Sequence, residues 1–236
     1  MPVDALEKDL MLDFRLNLPR GVQPHFLFIG AHSDDIEIGC GGTIMELLAA
    51  YPRARLSWVV LSSDGADAGK REAEARRSAK LFTRGKGRLD VYVKDFRGAF
   101  FPAEFVQIKQ FFEELKALKP DVVFTHCRDE LHQDHRIVGE LSWNTFRDHA
   151  MFEYEIPKID GGLGSPQAFV PVSEKNVARK VDLLMKVFAT QRSKRWFTPE
   201  TFRGLMRLRG IECNAPEGYA EAYYVRKVVL AAGKRA

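Results

Sequence analysis

The chain has 236 residues and a mass of 26.8 kDa, with 45% hydrophobic and 29% charged residues and a formal net charge of +4. That balance excludes a disordered chain. A chain of this length buries roughly 70% of the surface its unfolded form exposes, so it needs no disulfide or metal staple for a core. A charge of +4 is too weak to argue for nucleic acid, so no nucleic-acid partner is expected. Cys40, Cys127 and Cys213 lie far apart with no Cys-x-x-Cys pair, which excludes a disulfide framework and fits a reducing compartment. No apolar run approaches the roughly 20 residues that span a bilayer, so no stable membrane insertion is expected. Residues 1–18 alternate acidic and apolar residues and lack a basic-then-apolar signal pattern, so a cytoplasmic protein is expected.

Along the first half, short apolar runs alternate with helical patterns. Residues 26–31 read as a buried strand, residues 43–51 as a helix stopped by Pro52, and residues 55–62 as a second strand. Residues 70–82 read as a charged, Ala-rich helix, and residues 89–93 as a third strand. Phe105, Ile108, Phe112, Leu115 and Leu118 recur at helical spacing up to Pro120, and residues 121–126 form a fourth strand. Alternating helices and continuously apolar strands predict a mostly parallel sheet covered on both faces, an α/β Rossmann-like three-layer fold.

The second half predicts an irregular α+β completion. Strands are expected at 151–157 and 168–172, and a Gly-rich turn at 160–166. Val177, Val181, Leu184 and Phe188 mark one helix, residues 199–209 another, and residues 219–230 a closing strand. No linker divides the chain, so one domain is expected over 1–236, with its core at about 25–150 and its completion at 151–236. The 160–166 turn is a candidate contact in a homo-oligomer.

In an open parallel sheet, ligands bind outside the carboxyl ends of the strands. His32, Ser33, Asp34 and Asp35 follow the first strand. His126 ends the fourth, and His132, Gln133, Asp134 and His135 come after it. Two imidazoles and a carboxylate, His32, Asp35 and His135, make a ligand set for a catalytic divalent ion with positions left for water and substrate. Zinc is the default reading, one per chain, and iron(II) suits the same donors. Asp34 is the spare carboxylate, able to take a proton from metal-bound water. His132, with Asp134 close by to hold its ring and favour its cation, is a candidate for stabilising an oxyanion or protonating a leaving amine. These groups make up a kit for metal-assisted amide hydrolysis.

Plainer readings exist for each motif. The first alone is also an Asp-rich turn capping a helix, and the second an acidic helix start. Both together, each after a parallel strand, favour the site. Gly39, Gly41 and Gly42 suggest a phosphate cradle but lack the Gly-x-Gly-x-x-Gly spacing, so a tight turn beneath the site is the better expectation. Arg71 and Glu74 open a helix whose start should overlook the crevice, against the ordinary reading of a solvated face. His126 reads as pocket-lining or as a satisfied core histidine, the latter favoured. His25 and His149 read as structural or surface, and Trp58 and Trp143 as core.

Ala31-His32-Ser33-Asp34-Asp35 followed by Gly41-Gly42 resembles the Ala-His-Pro-Asp-Asp…Gly-Gly motif of the PIG-L/LmbE-like family of zinc-dependent N-acetylglucosaminyl deacetylases. His132-Gln133-Asp134-His135 resembles that family's His-x-Asp-His motif, and Arg71-x-x-Glu74 its Arg-x-x-Glu helix start. Arg209-Gly210 and residues 219–223 are similar to a segment of bacterial members. The resemblance implies zinc on His32, Asp35 and His135, Asp34 as general base, His132 as electrostatic and acid partner oriented by Asp134, and Arg71 as a substrate contact. Ser33 replaces the family's Pro, which predicts a freer turn rather than a lost site.

The expected function is a hydrolase removing an N-acetyl group from an amino-sugar-containing small molecule or glycoconjugate, with zinc-bound water attacking the amide carbonyl. The alternatives are an amide hydrolase on a non-sugar N-acyl substrate and a metal-free nucleotide- or phosphate-binding module.

Overall fold

The computed structural model describes residues 16, 18, 21–65 and 67–229. The reading of residues 1–18 as free of a signal pattern, apart from Leu16 and Leu18, and of Leu230 as a strand end lies outside the described residues.

Seven strands form one sheet: β1 (His25–Gly30), β2 (Arg55–Val60), β3 (Arg88–Val93), β4 (Val122–His126), β5 (Ala150–Tyr154), β6 (Ala168–Pro171) and β7 (Ala220–Tyr224). Their order is β3-β2-β1-β4-β5-β7-β6. The first five run parallel. β7 is antiparallel to both β5 and β6. The helices are α1 (Asp35–Ala50), α2 (Ala68–Thr83), α3 (Phe105–Leu115), α4 (Gln133–Thr145), α5 (Glu174–Val187) and α6 (Pro199–Glu212). This is the expected α/β layering. The closing strand is shorter than the 219–230 pattern predicts, and β5 joins the parallel part of the sheet.

The apolar continuity of the strands has a direct cause, since both faces are covered. Successive residues of β1 point to opposite sides. Phe26 and Phe28 pack with Ile36, Ile44, Phe82 and Leu184 from α1, α2 and α5. Leu27 and Ile29 pack with Ile108, Phe112, Val138 and Leu141 from α3 and α4. Each such side chain contributes roughly 1.5–3 kcal/mol by leaving water. Trp58 is fully buried, as expected. Trp143 is half-buried and packs against the rim of the core, with the guanidinium of Arg128 4.1 Å from its ring centroid.

The strand order reverses at β1, where β2 lies on one side and β4 on the other. The crossovers on the two sides therefore leave on opposite faces, and a crevice opens at the carboxyl ends of β1 and β4. The two histidine-rich motifs follow these two strands.

The glycines of the first motif do not make a turn. Gly39, Gly41 and Gly42 lie inside α1. A Cβ on Gly39 would come within 2.4 Å of the Tyr154 ring, and one on Gly41 within 2.5 Å of Phe82. They let α1 lie close against β5 and α2, which fixes the start of α1 beneath the crevice.

Candidate metal centre and active site

His32 follows β1, Asp34 is the N-cap of α1, and Asp35 is its first residue. The Asp35 Oδ2 accepts the His32 backbone N–H at 2.7 Å, which folds the motif back on itself. His132 is the N-cap of α4, and Asp134 and His135 lie in its first turn. Asp34, Asp35, Asp134 and His135 are buried, whereas His32 and His132 are half-buried at the surface of the crevice.

Three donor atoms converge. The Nδ1 of His32 lies 3.1 Å from the Nε2 of His135. The Asp35 Oδ2 lies 3.4 Å from that Nδ1 and 3.5 Å from that Nε2. Ligands at 2.0–2.1 Å from a tetrahedral zinc stand about 3.3–3.4 Å apart, so this triangle fits the ion. Donor atoms of His32, His132 and His135 also lie within 4.8 Å of one another, as do those of Asp35, His126 and His135.

The charges agree with the donor set. Burial disfavours the cationic form of His32, but the carboxylates of Asp134 and Asp35 outweigh it and hold its pKa up to about 9. A site that draws a proton onto an imidazole this way has negative charge to offer a cation. Burial, with Asp35 opposing it, keeps His135 well below the ordinary histidine value and therefore neutral, the form that binds metal. The Asp35 carboxyl is held well below its usual range by His135 and His126 despite its burial. Burial and the adjacent Asp35 charge push the Asp34 carboxyl up to about 6, against the pull of Lys194 and His32.

Asp134 does not hold His132 as expected. Its Oδ2 contacts the His32 Nε2 at 3.1 Å and accepts the Ala99 N–H at 2.6 Å. Its Oδ1 accepts the Phe101 N–H at 3.3 Å. Burial and the charges of Lys158 and His32 bring His132 down to about 4, so its neutral form prevails. The physical reason lies in the loop after β3, whose amides turn Asp134 toward β1. The His132 ring stands 5.2 Å from His32 and 4.6 Å from His135, centroid to centroid, at the mouth of the triangle.

Arg71 braces the loop after β2, donating from Nη1 to the Asp64 carbonyl at 3.0 Å. Glu74 does not overlook the crevice. It is buried and accepts from the Thr190 N–H and hydroxyl at 3.1 and 2.6 Å, tying α2 to the 3-10 turn Ala189–Gln191. His126 is a buried core histidine, as favoured, but it also floors the site: its Nε2 accepts the Ala31 N–H at 3.0 Å and lies 3.1 Å from the Asp35 Oδ2. His25 bonds Ser57 at 2.9 Å, and half-buried His149 packs edge-on against Phe146.

Glu130, Lys158 and Lys194 carry no motif signal, yet all bear on the site. Glu130 contacts the His135 Nδ1 through Oε2 at 3.0 Å. The Lys158 Nζ lies 3.0 Å from the same nitrogen. Position just after a parallel strand, β4 for Glu130 and β5 for Lys158, is the one sequence cue that applies to them.

Solved structures share this fold. An N,N'-diacetylchitobiose deacetylase from Pyrococcus horikoshii is 20% identical with a TM-score of 0.64, covering 90% of this chain and 87% of its own. The 4-carboxy-2-hydroxymuconate hydratase GalB from Pseudomonas putida is 15% identical with a TM-score of 0.70, covering 90% of this chain and 100% of its own. The A40926 pseudoaglycone deacetylase Dbv21 is 16% identical with a TM-score of 0.64, covering 89% and 100%. The pattern of the family described as PIG-L, GlcNAc-PI de-N-acetylase, matches residues 27–146, half of the chain and the stretch that carries both histidine motifs. The chain belongs to the PIG-L family.

Proposed function

We propose that the protein is a metal-dependent N-deacetylase that hydrolyses the acetamide of an amino-sugar-containing small molecule. The observation that carries this reading is the triangle of His32 Nδ1, Asp35 Oδ2 and His135 Nε2, with sides of 3.1–3.5 Å, beside the spare carboxylate of Asp34. A hydratase shares the fold, so the fold alone does not choose the reaction. The donor set and the family match support hydrolysis of an amide.

His32, Asp35 and His135 would hold zinc, and iron(II) suits the same donors. When bound, the ion polarises the amide carbonyl and acidifies water. Asp34 takes a proton from the attacking water, whose oxygen adds to the carbonyl carbon. The C–N bond then breaks, and the proton passes to the departing nitrogen, giving acetate and a free amine. His132, neutral and at the mouth, offers a hydrogen bond to the developing oxyanion. Asp134 acts one step back, holding His32. Arg71 stands at the start of α2 as a candidate substrate contact. N-acetylglucosamine-type substrates are the natural first class, by family.

Strands from both halves of the chain share one sheet, which supports a single domain. Three free, buried thiols support a reducing, cytoplasmic location. Among the described residues, no helix is long and apolar enough to cross a membrane.

The test is an acetate-release screen over N-acetylated sugars, sugar nucleotides and non-sugar N-acyl compounds, with and without added zinc. Zinc-dependent release from a sugar substrate is expected. Release confined to non-sugar amides would overturn the substrate class, and none under any metal condition would overturn the reaction.

A further inference from the structure

We propose that Glu130 is a positioning residue that fixes the proton and ring orientation of His135. The inference rests on His135 being a metal ligand.

The His135 Nε2 faces His32 and Asp35, so it is the nitrogen that must present a lone pair. A neutral imidazole carries one N–H, and a lone pair on Nε2 requires that hydrogen on Nδ1. The Glu130 Oε2 stands 3.0 Å from that Nδ1. A carboxylate there can only accept, so it holds the hydrogen on Nδ1 and leaves Nε2 open.

Glu130 is itself held. Its side chain is 8% exposed, and its Oε1 lies 3.3 Å from the Nζ of Lys158, which is 9% exposed. Lys158 comes within 3.0 Å of the His135 Nδ1, but an ammonium only donates, and an N–H offers it nothing. The partner of Lys158 is therefore Glu130, with Asp160 a further 3.7 Å contact. The contact to the imidazole belongs to the glutamate, and the lysine fixes the glutamate.

His32 is arranged the same way in mirror image. Its Nδ1 faces the site and its remote Nε2 meets Asp134 at 3.1 Å. Both histidines thus have a buried carboxylate on the nitrogen turned away from the ion. Removing such a partner typically weakens metal binding by about 10- to 100-fold.

The experiment measures zinc affinity of the full-length protein, stripped of metal, by competition with a chromophoric chelator. Wild type, Glu130→Ala, Glu130→Gln and Lys158→Met are compared, with melting temperatures of the metal-free forms alongside. Glu130→Ala should bind zinc about 10- to 100-fold more weakly. Glu130→Gln, whose amide oxygen still accepts from Nδ1–H, should recover most of that loss at an unchanged metal-free melting temperature. Lys158→Met should lose less than Glu130→Ala. If Glu130→Ala fails to fold, the comparison of Glu130→Gln with Lys158→Met decides: a glutamine variant weaker than the lysine variant overturns the proposal. Wild-type affinity in Glu130→Ala also overturns it while leaving the metal centre standing. Failure of the wild type to take up zinc overturns both.

Discussion

The Nδ1 of His32 lies 3.1 Å from the Nε2 of His135, across 103 residues of sequence. Neither loop makes this contact by local preference. β1 and β4 are neighbours in the sheet, and the strand order reverses between the crossovers that leave them. Every group proposed to bind the ion or move a proton depends on that adjacency.

Asp34 is the group whose loss should separate binding from chemistry. It is buried beside Asp35 but is not one of the three converging donors. Asp34→Ala should lower acetate release by at least about 10²-fold, the range for removing a general base. Zinc content, measured by mass spectrometry of the same sample, should stay at the wild-type value. A variant with near-normal turnover would refute the base assignment.

Strand β7 and helix α5 share a buried ion pair. The Lys180 Nζ donates to the Glu221 Oε1 at 2.6 Å and to the Ile38 carbonyl at 2.5 Å. The Glu221 carboxylate also accepts the Gly42 and Thr43 amides, both at 2.7 Å. It pins β7 and α5 to the middle of α1. Glu221→Ala leaves a buried ammonium without its counter-charge and should cost about 3–5 kcal/mol in urea unfolding. Glu221→Ala combined with Lys180→Met should recover part of that loss. A double variant less stable than Glu221→Ala alone would show that the stranded charge is not the cause.

Gly39→Ala tests the close approach of α1 to β5. The added Cβ would meet the Tyr154 ring at 2.4 Å, and Tyr154 also donates to the Ile29 carbonyl at 2.7 Å and packs 4.7 Å from His126. The variant should lose about 1–3 kcal/mol, the range for overpacking a core. Unchanged unfolding would mean that the helix can move away freely.

The thiols should be inert in the folded state. Burial pushes Cys40 well above the ordinary thiol value, Cys127 up to about 11, and Cys213 upward as well. All three stay protonated at pH 8, and the thiolate is the reactive form. A thiol-reactive dye should label the native protein far more slowly than the urea-unfolded protein. Rapid native labelling of any cysteine would contradict this.

Most of the strand–helix alternation was legible because both-sided burial leaves continuous apolar runs such as 26–31 and 121–126. The donor triangle was legible because donor-rich loops follow those runs. The partners of the histidines were not. Sequence proximity pairs Asp134 with His132, but the Ala99 and Phe101 amides of a distant loop turn it to His32. Lys158 follows β5, and the pairing of β5 with β4 brings it to Glu130. Glu74 has the family spacing from Arg71, yet its partner Thr190 lies 116 residues on. Such contacts follow from tertiary packing, which spacing along the chain does not encode.

The most direct measurement is zinc stoichiometry by equilibrium dialysis of metal-stripped wild type, His32→Ala and His135→Ala. One zinc per chain in the wild type and none bound at the same concentration in either variant is the predicted result. A wild type that takes up no zinc, or variants from two such distant loops that both keep it, would contradict a shared ion.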